Sequence, residues 1–300
     1  MAEISVWTIK ELLDRSRQFL EGKGVPTPRL DAEVLLAHVL GRPRIELYLE
    51  YDKPLGKTQI EEYRALIRGR GERRPVAYLV GGVGFWSLDL YLDDGALIPS
   101  PDTETVVEAI LSAAKALRAQ EPGLVLNILE MGTGSGAIPL AVLSELEGVR
   151  WVGVERSSDA LRVALRNREK YSQLQAPRQN RLLLIHGDRF SALSPGYEPH
   201  MVVGNPPYIP TGTIDRLMPE VSRSEPRMAL DGGPRGTDFQ RYMMEYASVA
   251  LTPEGRLIFE MGADQERLLR DILTGFPALR LVELRRDLAR HPRAFHARRV

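Results

Sequence analysis

The residues with the most specific chemistry are Asn205, Pro206, Pro207 and Tyr208, which directly follow the apolar run Met201-Val202-Val203. The side-chain oxygen of Asn205 and the backbone carbonyl of Pro206 can accept the two N–H bonds of a planar NH₂ group. Both prolines restrict the backbone, so this loop is ordered before a substrate binds. Tyr208 can then cover the face of the planar group. We therefore predict that these four residues are catalytic and orient a planar nitrogen, which is a poor nucleophile.

A glycine-rich loop follows an earlier apolar run, Leu124 to Leu129, and a helix begins directly after the loop. Glycines at such a turn let the backbone approach a ligand closely. Taken alone, the loop fits S-adenosylmethionine. It fits a nicotinamide or flavin cofactor equally well, because Gly132, Gly134 and Ala137 match a relaxed dinucleotide pattern. The predicted cofactor-binding residues of this loop are Gly132, Thr133, Gly134, Ser135 and Gly136.

Polar groups also follow the next two predicted strands. Glu155 comes about 20 residues after the glycine loop, where an acid accepts hydrogen bonds from ribose hydroxyls. Asp188 can accept from an adenine amino group, while Arg189 or Phe190 covers the ring. Asn205 is predicted to border the cofactor as well as the acceptor. A hydride-transfer enzyme has no use for paired acceptors aimed at NH₂, so we expect S-adenosylmethionine as the cofactor and S-adenosylhomocysteine as its product.

Hydrophobic periodicity divides the chain into three parts. Residues 1–77 have the three- and four-residue spacing of a small helical bundle, with breaks between Gly22 and Pro28. Residues 78–100 are a predicted hairpin linker, because Phe85 to Leu92 alternate like a strand pair. Residues 101–300 alternate apolar runs with helical patterns, as in a doubly wound α/β sheet. The predicted strands are Leu124 to Leu129, Arg150 to Val154, Arg181 to Ile185, Met201 to Val203, Arg256 to Glu260, Leu281 to Leu284 and Ala294 to Ala297.

Composition limits the possible classes of protein. Among 300 residues, 43% are hydrophobic, and Lys plus Arg equals Asp plus Glu at 40 each. Since proteins that track many phosphates usually carry a basic excess, no stable nucleic-acid binding is expected. No apolar run approaches the roughly 20 residues that span a bilayer. Cysteine is absent and the five histidines lack ligand spacing, so no metal is expected. Because Met1 to Ser5 lack secretory-signal features, we expect a soluble, monomeric cytoplasmic protein.

Together these motifs resemble the bacterial peptide chain release factor glutamine methyltransferases, the HemK/PrmC family. The resemblance covers nearly the whole chain. Its further segments are Pro28 to Leu36, Arg74 to Leu79, Gly84 to Trp86, Leu97 to Pro99, Ser224 to Gly233 and Gly262 to Gln265. It implies a class I, Rossmann-like methyltransferase domain with a seven-stranded, mostly parallel sheet behind a substrate-recognition helical domain. The implied substrate is the Gly-Gly-Gln glutamine of class-1 release factors, methylated at N5. The chain departs from the family pattern at Ser100, usually Arg, and at Arg235, usually an acid.

Three other functions stay open at this point. An adenine N6-methyltransferase acting on DNA or RNA would present the same kind of NH₂ group, but it would require base flipping. A glutamine methyltransferase acting on a ribosomal protein would use the same chemistry on another partner. A third possibility is a cofactor-binding protein that has lost catalysis and serves as a docking module.

Overall fold

The computed structural model describes residues 7–175, 179–194 and 196–300. Met1 to Ser5, on which the expectation of no secretory signal rests, lie outside the described residues. The chain forms two compact units, Met1–Gly82 with Met218–Ser224 and Val83–Leu217 with Glu225–Val300. The first unit thus contains a short segment that lies far along the chain from the rest of it. In the described part of the chain, no helix is long and apolar enough to cross a membrane.

The first unit is a bundle of short helices. They are α1 (Ile9–Gly22), α2 (Pro28–Leu40), α3 (Arg44–Leu49), α4 (Lys57–Gly71) and α5 (Val76–Val80). Thr8 and Glu11 form a capping box at the start of α1, and Gly41 ends α2 with a left-handed φ of 61°. Leu13, Leu35 and Tyr63 are fully buried in the core between the helices. The predicted helical bundle and the break between Gly22 and Pro28 are confirmed.

Buried charges also stabilise this unit. Asp31 on α2 accepts a hydrogen bond from Arg70 Nε at 2.6 Å, and Arg70 Nη2 donates to Glu220 at 2.8 Å. Arg73 donates to both oxygens of Glu220 at 2.7 Å. These residues form the buried ion cluster of the first unit. Buried charges are tolerated only when they are paired in this way.

The hairpin comes next and starts later than predicted. Residues 78–80 belong to α5, and the two strands are β1 (Gly82–Phe85) and β2 (Leu88–Tyr91). Trp86, with a φ of 56°, lies in the two-residue turn. The predicted alternation over Phe85 to Leu92 therefore includes the turn and the second strand. The first strand was missed because its glycines carry no alternating pattern.

The second unit contains a seven-stranded sheet in the order β5-β4-β3-β6-β7-β9-β8 among the described residues. The strands are β3 (Leu126–Met131), β4 (Val149–Glu155), β5 (Arg181–His186), β6 (Met201–Gly204), β7 (Arg256–Glu260), β8 (Leu279–Arg286) and β9 (Pro292–Arg299). The first five are parallel to one another, whereas β9 is antiparallel to both of its neighbours, β7 and β8. The predicted seven-stranded, mostly parallel sheet is confirmed.

Helices cover both faces of this sheet. They are α6 (Glu104–Gln120), α7 (Ala137–Glu145), α8 (Ser158–Lys170), α10 (Arg227–Leu230), α11 (Asp238–Ala250) and α12 (Glu266–Leu273), whereas α9 (Pro219–Ser222) belongs to the first unit. Successive strand residues point to opposite faces, so Ile128 and Leu129 of β3 enter different core clusters. This two-sided burial explains why the strands are short apolar runs.

Candidate active site

A cavity of about 280 Å³ opens at the carboxyl ends of the parallel strands of the second unit. Its walls come from the segments that follow β3, β4, β5 and β6. Strand order reverses between β3 and β6, and in open α/β sheets ligands bind outside the carboxyl ends of the strands at such a switch point. The cavity is therefore where the fold itself favours a ligand site.

The predicted glycine loop forms one wall of the cavity. Gly132, Thr133, Gly134 and Ser135 line it, whereas Gly136 does not and instead precedes the first turn of α7. The three glycines have φ values of 74°, 58° and 82°, a region that side chains rarely adopt. The loop thus brings backbone close to the cavity at positions where a side chain would strain the turn.

Glu155 lines the cavity beside this loop and is buried. Its Oε2 accepts from the Gly134 N–H and its Oε1 from the Ser157 N–H, both at 2.8 Å. A carboxylate offers about four acceptor positions, so each oxygen can accept a further hydroxyl. The carboxylate is therefore held rigidly while it keeps the acceptor capacity that a ribose requires.

The segment after β5 places its three predicted residues differently. Asp188 and Arg189 line the cavity, and the Arg189 guanidinium lies 4.8 Å from the Tyr242 ring centroid. Phe190 does not line the cavity. Its ring is buried in the core, 4.4 Å from the Tyr246 centroid, so it does not cover a ligand there. Of the two residues predicted to cover the adenine ring, Arg189 lines the cavity and Phe190 does not.

The predicted acceptor residues follow β6 and form another wall. Asn205, Pro206 and Pro207 line the cavity. Tyr208 does not, and its hydroxyl donates to Glu260 Oε1 at 3.0 Å. Asn205 Nδ2 donates to Thr103 Oγ1 at 3.2 Å, which leaves the side-chain oxygen of Asn205 as an acceptor. The loop therefore presents an acceptor at the position where the sequence predicts one.

Two buried residues that sequence reasoning missed connect to this loop. Thr103 donates to Glu260 Oε2 at 2.5 Å, and Glu260 is only 1% exposed. Burial raises the pKa of Glu260 to about 7. Burial also raises the pKa of Tyr208 above its usual range, and the neighbouring Glu260 adds to that shift. The sequence offered one signal, an acid at the carboxyl end of a predicted apolar strand.

A second set of missed contacts supports the backbone of the acceptor loop. Gln265 Nε2 donates to the Tyr208 carbonyl at 2.9 Å and to the Gly236 carbonyl at 2.8 Å. The Gly232 N–H donates to the Ile209 carbonyl at 2.9 Å. These residues belong to the motifs Ser224 to Gly233 and Gly262 to Gln265 or lie just beyond them. Those motifs therefore hold the acceptor loop in place, a role that their sequences do not reveal.

Another buried acid lies beside the glycine loop. Glu130 Oε2 accepts from Thr133 Oγ1 at 2.7 Å and from Trp151 Nε1 at 3.0 Å. Burial raises the pKa of Glu130 to about 7.

In the described ranges 7–175, 179–194 and 196–300, no group of three His, Cys, Asp or Glu side chains is placed to hold a metal ion.

The fold and the site define a class I methyltransferase. The catalytic domain of hMettl16, solved in complex with MAT2A 3'UTR hairpin 1, superimposes with a TM-score of 0.52 at 15% identity, over 81% of this chain and 80% of that one. At this identity the likeness shows the fold alone.

Comparison with known sequences is more specific. Residues 11–81 match the family described as PrmC N-terminal domain. The release factor glutamine methyltransferase of Geobacter sulfurreducens is 38% identical over 273 residues, 90% of each chain. That of Rhodopirellula baltica is 36% identical over 299 residues, 98% of each chain. The chain therefore belongs to the release factor glutamine methyltransferase family, which confirms the resemblance found in its motifs.

Proposed function

We propose that this protein transfers the methyl group of S-adenosylmethionine to the side-chain amide nitrogen of the Gly-Gly-Gln glutamine in class-1 peptide chain release factors. The observation that carries the proposal is the position of Asn205 and Pro206 on the same cavity as the glycine loop. The loops meet because β3 and β6 are adjacent parallel strands, with Glu130 opposite Val203. Cofactor and acceptor groups would thus face each other across one small space.

The residues of the cavity fit the cofactor. Glu155 would accept the ribose hydroxyls, since each of its oxygens has an acceptor position left after its bond to backbone. The glycine loop would admit the methionine part closely, and Asp188 with Arg189 would border the adenine. Bound in this way, S-adenosylmethionine supplies an electrophilic methyl sulfonium, and the protein supplies position and orientation.

The acceptor loop would orient the glutamine amide. The Asn205 side-chain oxygen and the Pro206 carbonyl would each accept one N–H bond, which aims the nitrogen lone pair at the methyl carbon. A new N–C bond forms as the methyl C–S bond breaks, and the extra proton on nitrogen leaves to water. Proximity and alignment suffice for this step, so a dedicated base is not part of the proposal.

Partner and location follow from the same proposal. The helical first unit would recognise the release factor, because residues 11–81 carry the family's N-terminal domain. The lack of cysteine among 300 residues is compatible with the cytoplasm, where disulfides are rare. The three-part division at residues 77 and 100 and the monomeric state stay predictions.

The direct test is intact-mass analysis of a purified class-1 release factor after incubation with this protein and S-adenosylmethionine. We expect a gain of one methyl group, lost when the loop glutamine of the factor is replaced by alanine. Adenine-containing DNA and RNA are incubated separately. Methyl on adenine with none on the factor would overturn the proposal in favour of a nucleic-acid methyltransferase.

Asn205→Ala tests the assigned acceptor role. We expect turnover to fall about 100-fold, the scale of loss that a misplaced reacting group produces. Cofactor affinity, measured by calorimetry, should stay nearly unchanged, because the carboxamide aims the acceptor. Unaltered turnover would remove Asn205 from the mechanism. Loss of both turnover and cofactor binding would instead indicate a damaged cavity.

A further inference from the structure

Glu260 occupies a buried position next to the acceptor loop, at the last residue of β7. It is 1% exposed, yet both of its oxygens have partners: Oε1 accepts from the Tyr208 hydroxyl at 3.0 Å and Oε2 from the Thr103 hydroxyl at 2.5 Å. Two hydroxyl donors suit a carboxylate, which can only accept. The carboxylate therefore determines where the hydroxyl hydrogen of Thr103 points.

Thr103 transmits this direction to the acceptor residue. A threonine hydroxyl has one hydrogen, and Thr103 donates it in the hydrogen bond to Glu260. The oxygen of Thr103 can then only accept from the Asn205 group that lies 3.2 Å away. That group must be the NH₂ end of the carboxamide.

The orientation matters because a carboxamide has nearly the same shape in both directions but opposite hydrogen-bonding ends. With NH₂ facing Thr103, the Asn205 oxygen is the end left to accept an N–H bond in the cavity. In the flipped orientation, two acceptor oxygens would face each other at Thr103, and a donor would meet the donor of the substrate. The flipped Asn205 could not aim an NH₂ group.

We propose that Thr103 and Glu260 are positioning residues that fix the orientation of the Asn205 carboxamide and so align the acceptor nitrogen. The inference rests on the proposed methyl transfer and deepens it. Neither residue needs to touch the reacting atoms, since both act through Asn205.

The charge of Glu260 makes the orientation of Asn205, which Glu260 fixes through Thr103, depend on pH. Burial raises its pKa to about 7, the two hydroxyl bonds and Arg293 oppose that rise, and Asp102 reinforces it. Arg293 is itself paired with Asp102 and Asp287, both at 2.9 Å. A protonated Glu260 can donate to Thr103, so the hydroxyl hydrogen of Thr103 becomes free to turn toward Asn205. Turnover should therefore fall as the pH drops below about 7, the pKa of Glu260.

The first experiment compares Thr103→Val with Thr103→Ser in release factor methylation. Valine keeps the shape but removes the hydroxyl, and we expect turnover to fall about tenfold or more, as for other losses of alignment, with cofactor affinity unchanged. Serine keeps the hydroxyl and should retain most of the turnover. Thr105→Val is the matched control, because its hydroxyl bonds only to the Asp102 carbonyl in the same turn.

A double-mutant cycle separates positioning from structural support. If Thr103 acts through Asn205, Thr103→Val should have little further effect in an Asn205→Ala background, and Glu260→Gln should behave in the same way. Full, additive losses in that background would overturn this positioning role, as would wild-type turnover in Thr103→Val. A wild-type protein that methylates no release factor would contradict the proposed function instead, so the two failures are distinguishable.

Discussion

The Tyr208 side chain binds a partner that its sequence position does not reveal. Its hydroxyl is bonded to Glu260 at 3.0 Å, and its side chain does not line the cavity. The tyrosine thus contributes one of the two hydroxyl donors that lower the pKa of Glu260 and so counter the effect of burial. A hydrogen bond to the charged form of an acid lowers its pKa.

Tyr208→Phe should therefore raise the pKa of Glu260. The ring and its packing stay, but Glu260 loses one of two donors to its charged form, and protonation then occurs at higher pH. We expect the acidic limb of the turnover profile to move to higher pH, with a smaller change at pH 9. Steady-state rates measured from pH 5.5 to 9 for both proteins check this. A limb that stays in place, or moves to lower pH, contradicts the link between Tyr208 and Glu260.

The residues that sequence reasoning missed were all missed for one physical reason, which is that their contacts join distant parts of the chain. Glu260 meets Thr103 across 157 residues and Tyr208 across 52 residues, and no local pattern records such pairings. Phe190 shows the converse error. It follows a strand end directly, but Arg189 has a φ of 54° and the next ring enters the core beside Tyr246. Side-chain direction after a turn depends on backbone angles that the sequence does not reveal.

The elements themselves were more predictable than these contacts. Buried parallel strands are short apolar runs, so Arg181 to Ile185 and Arg256 to Glu260 were found within one residue of β5 and β7. The antiparallel strands β8 and β9 are longer than predicted, since their arginine-rich ends lack an apolar signal. The acceptor loop was identified by composition, but the segment that supports it was not.

That supporting segment can be tested at Gly236. Its φ is 70°, and a Cβ there would lie 2.3 Å from the Tyr208 carbonyl oxygen. Gly236→Ala combines a left-handed backbone, which costs a side chain about 1–2 kcal/mol, with displacement of the acceptor loop. We expect a lower Tm and at least a tenfold loss of turnover, the scale for misaligned reacting groups.

Gly212→Ala is the control for this change. Gly212 lies in the 3₁₀ helix Thr211–Arg216 that follows the acceptor loop, and a Cβ there would meet no atom within 4 Å. The variant should keep the Tm and the turnover of the wild type. If Gly236→Ala also kept both, the segment would not hold the loop as rigidly as its contacts indicate.

At the scale of the whole molecule, the buried ion cluster of the first unit joins residues that are 150 positions apart in the chain. Glu220 and Arg70 are buried, and Arg73, which is half-buried, also binds Glu220. Despite its burial, which opposes ionisation, hydrogen bonds from the two arginines lower its pKa to about 2. A carboxylate with a lowered pKa stabilises the folded state above its ordinary pKa of 4.5, and this contribution is lost as the pH falls toward 2.

Glu220→Gln should therefore destabilise the protein in a pH-dependent way. At pH 7 we expect a loss of about 3 kcal/mol in the free energy of unfolding, because the buried Arg70 and the half-buried Arg73 lose their anionic partner. The difference from wild type should shrink between pH 4.5 and pH 2, the range in which wild-type Glu220 itself becomes protonated. Urea unfolding at several pH values measures both differences.

Glu50→Gln provides the comparison. Glu50 accepts from Arg42 and Lys53 at 2.8 Å, but its side chain is 36% exposed. Such a surface pair contributes little to stability, so this variant should unfold nearly like wild type. Equal losses for Glu50→Gln and Glu220→Gln, or a Glu220→Gln difference independent of pH, would contradict the role assigned to the buried cluster.

Because Met218–Ser224 belongs to the first unit, that unit is discontinuous in the chain. A gene fragment that ends at Gly82 would encode Arg70 and Arg73 without the carboxylate that both bind. Recombination at a single junction after Gly82 would therefore separate these two arginines from their own Glu220 segment. We therefore expect Glu220 and its two arginines to be inherited as one set.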